Sequence, residues 1–340
     1  MTRSQFLMAT LAGSLATSSI AAHADTRYRL TQIVPDTPAS TILAADLNDR
    51  GQVVGFVQDS SGRDHAFAWR DGTLTNLGPL FDAASPSTRA TANNDRGDIL
   101  GVFFDTTSDK FVIALLPRRG EVTRIEGLPG ETEDAGVADI NNRGQIAAAS
   151  FFEDGSTQAF IWEDGNVMPL PALAGDTSSL AVALNEHGEV LGTSRGPTGH
   201  VVIWEDAQPR DLNIPGGTPR DINDREQVVG TLQRRGFLWE RGTLTSLPVF
   251  DGAVITQAAS INNAGEIVGE SDLETSARAT LWEDGQIFNL NDLVVSNDPQ
   301  RSFVNLQSAS QINDRGAIVA IGRDSRFPSE LRTYLLTPVH

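Results

Sequence analysis

From Ala44 onward the chain sets short apolar runs between polar turns, always in the same order. The first unit reads A-A-D-L-N-D-R-G-Q-V-V-G-F-V, a polar gap, then H-A-F-A-W-R-D-G-T-L-T-N-L-G-P. Runs this short, rich in Val, Leu and aromatic residues and bounded by Asn, Asp and Gly, predict strands. Four fall in the first unit: residues 42–48, 52–57, 65–70 and 73–77. An Asn48-Asp49-Arg50-Gly51 turn joins the first pair and Asp71-Gly72 the last. Asn bonds to its own local backbone, and Gly accepts a positive φ without a Cβ clash, so both turns suit tight hairpins.

The Asn of that turn returns at Asn94, Asn141, Asn185, Asn223, Asn262 and Asn313, at spacings of 38 to 51 residues. Repeats of this length built from four strands predict propeller blades. The seventh unit stops after its third strand, and residues 28–34 form a lone strand ahead of the first unit. That strand is expected to pair with residues 331–336 and complete the last blade, which removes the open sheet edges. The predicted fold is an all-β, seven-bladed β-propeller of four-stranded antiparallel blades, closed by an N-terminal strand and occupying residues 25–340 as one domain.

Two positions recur inside the units. Seven residues after each Asn stands Gly55, Gly101, Ala148, Gly192, Gly230, Gly269 or Ala320. Glycine weakens a strand, so its recurrence marks the close approach of another backbone, expected where adjacent sheets pack face to face. All five tryptophans, Trp69, Trp162, Trp204, Trp239 and Trp282, occupy one slot of the repeat. A row of ligand-stacking rings would use such a slot, but packing between blades requires it, and core packing is the expectation. One turn departs from the pattern: Glu226 stands where the other six units have Gly, so it is either strained at positive φ or the turn has changed type.

With A-F-x-W at residues 66–69 and I-N-x-x-G at residues 261–265, the chain resembles the HAF-repeat family of secreted bacterial proteins, whose repeats carry I-N-x-x-G-x-x-x-G, then H-A-F-x-W and D-G. The resemblance spans the mature chain. The full triplet occurs only at His65-Ala66-Phe67 and drifts to Gln158-Ala159-Phe160, His200-Val201-Val202 and Arg278-Ala279-Thr280. It implies the fold and export, and no particular chemistry.

The first 24 residues read as a secretory signal peptide: Arg3, an apolar and small stretch over residues 6–20, and Ala22-His23-Ala24 before the cleavage point. Export to a bacterial periplasm or the exterior follows. The chain has no cysteine, so disulfides and thiolate chemistry are ruled out. Its net charge is −18, or −19 once Arg3 leaves with the signal, which disfavours nucleic acid and anionic membranes. No later apolar run reaches spanning length, and a monomer is expected.

Candidate chemistry is sparse. His65, His187, His200 and His340 are far apart and lack metal-ligand spacing. Residues 46–51 and 139–144 resemble the start of a calcium loop, but an Arg takes the place of a ligand and no distal Glu follows. Gly192-Thr193-Ser194-Arg195-Gly196 spells G-x-S-x-G without the strand–helix context of a nucleophile elbow. Gly216-Gly217 and residues 127–130 open no helix for phosphate. Arg96-Gly97-Asp98 is explained as repeat turn chemistry. No catalytic residue, metal ligand or cofactor is assigned.

Two functions remain: a non-catalytic binding or scaffold propeller for a protein or glycan, and a carbohydrate-active lyase or hydrolase with its site at the channel mouth. In a four-stranded blade the Asn-x-x-Gly and Asp-Gly turns share one face. The opposite face carries the loops that vary in length and composition, where binding usually sits. The candidate contact residues there are Asp298 and Arg301 in the link before the last unit, with Arg323, Asp324 and Arg326 in its second hairpin.

Overall fold

The computed structural model describes residues 26–34, 41–131 and 133–339. The proposed signal peptide and His340 lie outside the described residues. The chain forms seven four-stranded antiparallel sheets. Blades 1 to 6 span residues 41–76, 88–125, 133–170, 178–211, 218–246 and 253–289, each in simple up-and-down order. Blade 7 takes Val304–Ile312, Ile318–Asp324 and Phe327–Val339 from the C-terminal end and Arg27–Ile33 as its outermost strand. The first strand of every blade is innermost and touches the first strands of both neighbours, so these strands wall a central channel.

The closure expected from the incomplete seventh unit is present, displaced along the sequence. Leu30 pairs with Leu336, and the strand runs from Arg27 opposite Val339 to Ile33 opposite Thr333. The outer edge of this strand is also covered. The Val295 and Tyr28 backbones bond at 3.0 Å, Leu30 N donates to Asp298 Oδ2 at 2.9 Å, and the Gln300 side chain donates to Leu30 O. The link ahead of blade 7 thus satisfies main-chain groups that an edge strand would otherwise expose.

Alternation along the middle strands puts one apolar set on each face, and the sheets stack on those faces. Among the described residues seven buried clusters result, one between each pair of adjacent blades. The tryptophans belong to them. Trp69 packs with Ile33, Val319 and Leu335 of blade 7, and Trp239 with Leu191 and Ile203 of blade 4. Trp204 and Trp282 also donate their indole N–H to Pro171 O and Pro248 O, at 2.7 and 2.8 Å. Core packing is therefore the role of the slot.

The recurring glycine has a different cause from the expected one. Every inner strand carries a register shift at the same place, such as Ala44/Asp46 in blade 1 and Pro219/Asp221 in blade 5. Such a bulge pushes a carbonyl toward the next strand of the same sheet. A Cβ on Gly55, Gly101, Gly192, Gly230 or Gly269 would collide with the carbonyl of Leu43, Arg89, Leu180, Thr218 or Gln257 respectively. In blade 7 a second shift, at Leu306/Ser308, puts a close approach two residues later. There Gly322 faces Asn305 O, and Ala320 fills the usual slot. The glycine answers a bulge within its own blade rather than a neighbouring sheet.

Candidate functional site

The Asn-x-x-Gly turns converge on the channel axis, and their asparagines form a closed ring. Each Asn donates Nδ2 to the main-chain oxygen of its counterpart in the next blade, from Asn48 to Asn94 O round to Asn313 to Asn48 O, at 2.9 to 3.2 Å. Its Oδ1 accepts two N–H groups of its own turn, as Asn48 does from Arg50 and Gln52. In blades 1 to 6 the second amide hydrogen goes to the side chain four residues on: Gln52, Asp98, Gln145, Glu189, Gln227 or Glu266. A buried amide with all four capacities filled is rigid and fixes the distance between blades.

A second ring lies one residue further on. Asp49, Asp95, Asn142, Glu186, Asp224, Asn263 and Asp314 each accept the backbone N–H of the equivalent residue in the preceding blade, at 2.7 to 3.0 Å. Burial pushes the carboxyls of Asp49 and Glu186 up. Two residues before the ring asparagine the blades alternate: Asp46, Ala92, Asp139, Ala183, Asp221, Ser260, then Gln311. Each of these three aspartates bridges its own strand to the next blade. Asp46 accepts Leu47 N and Asn93 N; Asp139 accepts Ile140 N and Leu184 N; Asp221 accepts Ile222 N, Ile261 N and the Ser260 hydroxyl. All three stand half-buried on the innermost strands, and Asp46 and Asp139 line the channel mouth. Desolvation by burial, against the backbone bonds that favour the charged form, pushes Asp46 and Asp221 up to about 6 and Asp139 well above the usual carboxylate range. Mutual repulsion adds to the rise.

The mouth so formed holds a cavity of about 180 Å³ with a wall of carboxylates and amides. Such a wall attracts cations and repels anions. Among the described residues no group of three or more His, Cys, Asp or Glu side chains is placed to hold a metal ion. In the sequence alone these positions look like turn formers. The signal that marks them is the Asp/small alternation two residues before each Asn.

The five residues proposed from sequence lie on the opposite face, at blade 7. Asp298 is buried, and its carboxylate accepts Leu30 N and Gln300 N, so it holds the closing strand. Asp324 is buried and paired with Arg326 through several N–H···O contacts, the shortest 2.6 Å. That ion pair and the backbone N–H of Arg326 hold its carboxyl below the usual range. The two segments do meet: Ser325 N donates to Phe303 O, and the Arg326 guanidinium lies 4.6 Å from the centre of the Phe303 ring. Arg301 and Arg323 are exposed, the latter donating to Pro328 O. Arg332 sits 3.8 Å over Phe327, and Phe303, Phe327 and Leu331 remain exposed.

The other sequence candidates are built into the frame. Ser194 lies within a strand, buried; its hydroxyl donates to Asp176 at 2.5 Å and accepts Leu173 N. His65 contacts Asp59 and His200 contacts Asp211, each at 3.0 Å. Arg96 of the Arg-Gly-Asp turn is paired with Asp98.

No protein-family model matches the sequence, and no curated protein matches it. Solved structures do match in shape. The β-propeller domain of the Trilobed protease from Pyrococcus furiosus aligns with a TM-score of 0.58 at 13% identity, over 86% of this chain and 95% of that one. The acylaminoacyl peptidase of Pyrococcus horikoshii gives 0.55 at 11%, over 88% and 52%. YCF48 bound to D1 peptide gives 0.52 at 13%, over 92% and 96%. At such identities the likeness is one of fold. The class is thus a seven-bladed β-propeller of four-stranded antiparallel blades.

Proposed function

We propose that this protein is an exported, non-catalytic binding or scaffold module that docks a protein or glycan on the loop face of blade 7. The observation that carries this reading is the exposed patch of Phe303, Phe327 and Leu331 threaded by Arg326 and Arg332. Aromatic and arginine side chains held against one another on a rigid frame are the composition of interface hot spots. Of the five residues proposed from sequence, Arg301, Arg323 and Arg326 are contact residues in this reading, while Asp298 and Asp324 position them. Export rests on residues 1–24 and on the HAF-repeat resemblance.

The test is a glycan array and an envelope-protein binding screen with the mature protein. Arg301→Glu, Arg323→Glu and Phe327→Ala should each weaken the captured ligand, and Arg143→Glu and Arg225→Glu on the opposite face should not. Arg326 is spared because its loss would strand the buried Asp324 charge. Loss of binding only in the opposite-face pair would overturn the proposal. A second reading, a carbohydrate-active lyase or hydrolase at the channel mouth, draws on the raised carboxyls of Asp46, Asp139 and Asp221. A sugar-release screen abolished by Asp139→Asn would favour it.

A further inference from the structure

Six of the seven ring asparagines share one set of partners, and the seventh breaks the rule at the closure seam. Position four after Asn313 is Ala317, which brings no acceptor. Asn313 gives one amide hydrogen to Asn48 O at 2.9 Å, and its Oδ1 accepts Arg315 N and Ala317 N. Among the described residues no acceptor meets its second amide hydrogen, although the residue is only 6% exposed. An unfilled donor at that depth is costly, and an acceptor supplied from outside would recover the loss.

The missing side chain also leaves space of a defined shape. In blades 3, 5 and 6 the side chain at this position lies over the turn glycine of the next blade: Gln145 over Gly188, Gln227 over Gly265 and Glu266 over Gly316. The counterpart of Ala317 would lie over Gly51, and nothing stands within 4 Å of a Cβ built there. The seam between blades 7 and 1 opens at this point into a cavity of about 660 Å³. Asn313 and Ala317 form part of its lining, Trp69, Leu335 and Pro338 give apolar wall, and Arg50 and Arg315 flank it. Arg96 and Arg143 of the same turn position are engaged, by Asp98 and by His187 O. Among the described residues the guanidiniums of Arg50 and Arg315 make no hydrogen bond and no close ion pair, although the charge of Arg315 acts on the Asp49 carboxyl and favours its ionised form. Asp49 and Asp71 also reach the cavity, but one oxygen of Asp49 accepts Asp314 N and Asp71 pairs with Arg70.

We infer that this seam cavity is a binding site for a small organic carboxylate with an apolar body, a site distinct from the blade 7 loop patch. The carboxylate takes the place of the missing acceptor, receiving the free Asn313 Nδ2 hydrogen and the guanidinium N–H groups of Arg50 and Arg315. The body lies against Trp69, Leu335 and Pro338. Few polar groups converging on an apolar wall is the usual make-up of a small-molecule site.

The experiment titrates isotope-labelled mature protein with N-acetyl-L-phenylalanine and, separately, with its uncharged amide, and follows the Asn313 side-chain amide and Trp69 indole resonances. The acid should shift both saturably, and the amide should bind at least about tenfold more weakly, which is the loss of one charge-assisted contact. Ala317→Gln restores the acceptor present in the other six blades. It should abolish the saturable shifts while leaving the melting temperature equal or higher. Arg50→Gln, which leaves the ring untouched, should weaken binding by about tenfold. A Gly-Gly-Phe peptide run alongside separates two sources of such a carboxylate. Affinity equal to that of the acetylated residue admits the C-termini of peptides, and binding about tenfold weaker restricts the site to small acids. The inference is overturned by no saturable shift up to about 10 mM, by equal affinity for acid and amide, or by unchanged binding to Ala317→Gln.

Discussion

Glu226 has φ of +58°, and its N–H still donates to Asn223 O as the turn glycines do. The turn has kept its type, and a side chain is held in the left-handed region. Its carboxylate pairs with Arg210, whose guanidinium lies 5.6 Å from the Trp239 ring centre. Left-handed backbone costs a non-glycine residue about 1–2 kcal/mol, and a half-exposed ion pair returns a few tenths to about 1 kcal/mol. Strain is the larger effect, so Glu226→Gly should stabilise by about 0.5–1 kcal/mol in urea unfolding. A loss of stability would mean that the Arg210 pair outweighs the strain. Ala207, at φ +60° where other blades have Gly72, Gly165 or Gly285, is a parallel case without the compensating pair. Ala207→Gly should give the clearer gain.

The inner strands with their asparagine turns are the elements that set blade spacing. Asn141 donates to Gln145 and to Asn185 O and accepts Arg143 N and Gln145 N. Asn141→Ala removes four bonds and leaves buried groups unpaired, so a loss of about 3 kcal/mol is expected from denaturant unfolding. Asn141→Asp, keeping the acceptor, should cost less. The same strands carry Asp46, Asp139 and Asp221, whose folded-state carboxyls are raised, so the folded state binds protons that the unfolded state releases. Stability is therefore gained as pH falls through about 6 and is complete near the unfolded carboxyl value of about 4. Asp105, held down to about 2 by Thr107 N and Arg124, and Asp324 act in the opposite sense: their contribution is lost as pH falls further. The melting temperature should thus rise from pH 7 to an optimum between about pH 4 and 5. Replacing the three channel aspartates by Asn should flatten that rise, and an unchanged profile would show that they do not control it.

At the scale of the whole molecule, closure joins the two ends of the fold. Arg27–Ile33 pairs along its full length with the last strand, contributes Tyr28 and Leu30 to the cluster between blades 6 and 7, and adds Ile33 to the one between blades 7 and 1. Both Tyr28 and Tyr334 are fully buried, and burial raises their hydroxyls, Tyr334 to about 12. Deleting residues 27–33 should expose the Phe327–Val339 edge, lower the melting temperature markedly and promote association through that strand. Light scattering and thermal unfolding of the deletion check this, and an unaltered melting temperature would contradict the role given to the seam.

How much of this was legible depends on how far apart the interacting groups are in sequence. The seven units, their four strands, the Asn-x-x-Gly and Asp-Gly turns, the closing strand and the tryptophan slot could all be read in advance. Each is written in a few adjacent residues; the units and their turns recur along the chain, the tryptophan returns in five of them, and the closing strand is marked by the gap it fills in the last unit. The blade 7 loops stand out for the converse reason: their lengths depart from the repeat. The roles of individual polar side chains could not be read. Asn48 looks like a turn former, yet its bond to Asn94 O spans 46 residues, and the bond that closes the ring spans 265. Asp298 looks like a loop acid and instead holds a strand 268 residues away. Gly55 announced a close backbone, but only the bulge at Ala44/Asp46 revealed which one. Ala317 is an ordinary small residue until six blades show what belongs in its place. Hydrogen-bond partners across blades are chosen by the distance and angle between sheets, and those are settled by packing around the whole ring rather than by any local run of residues.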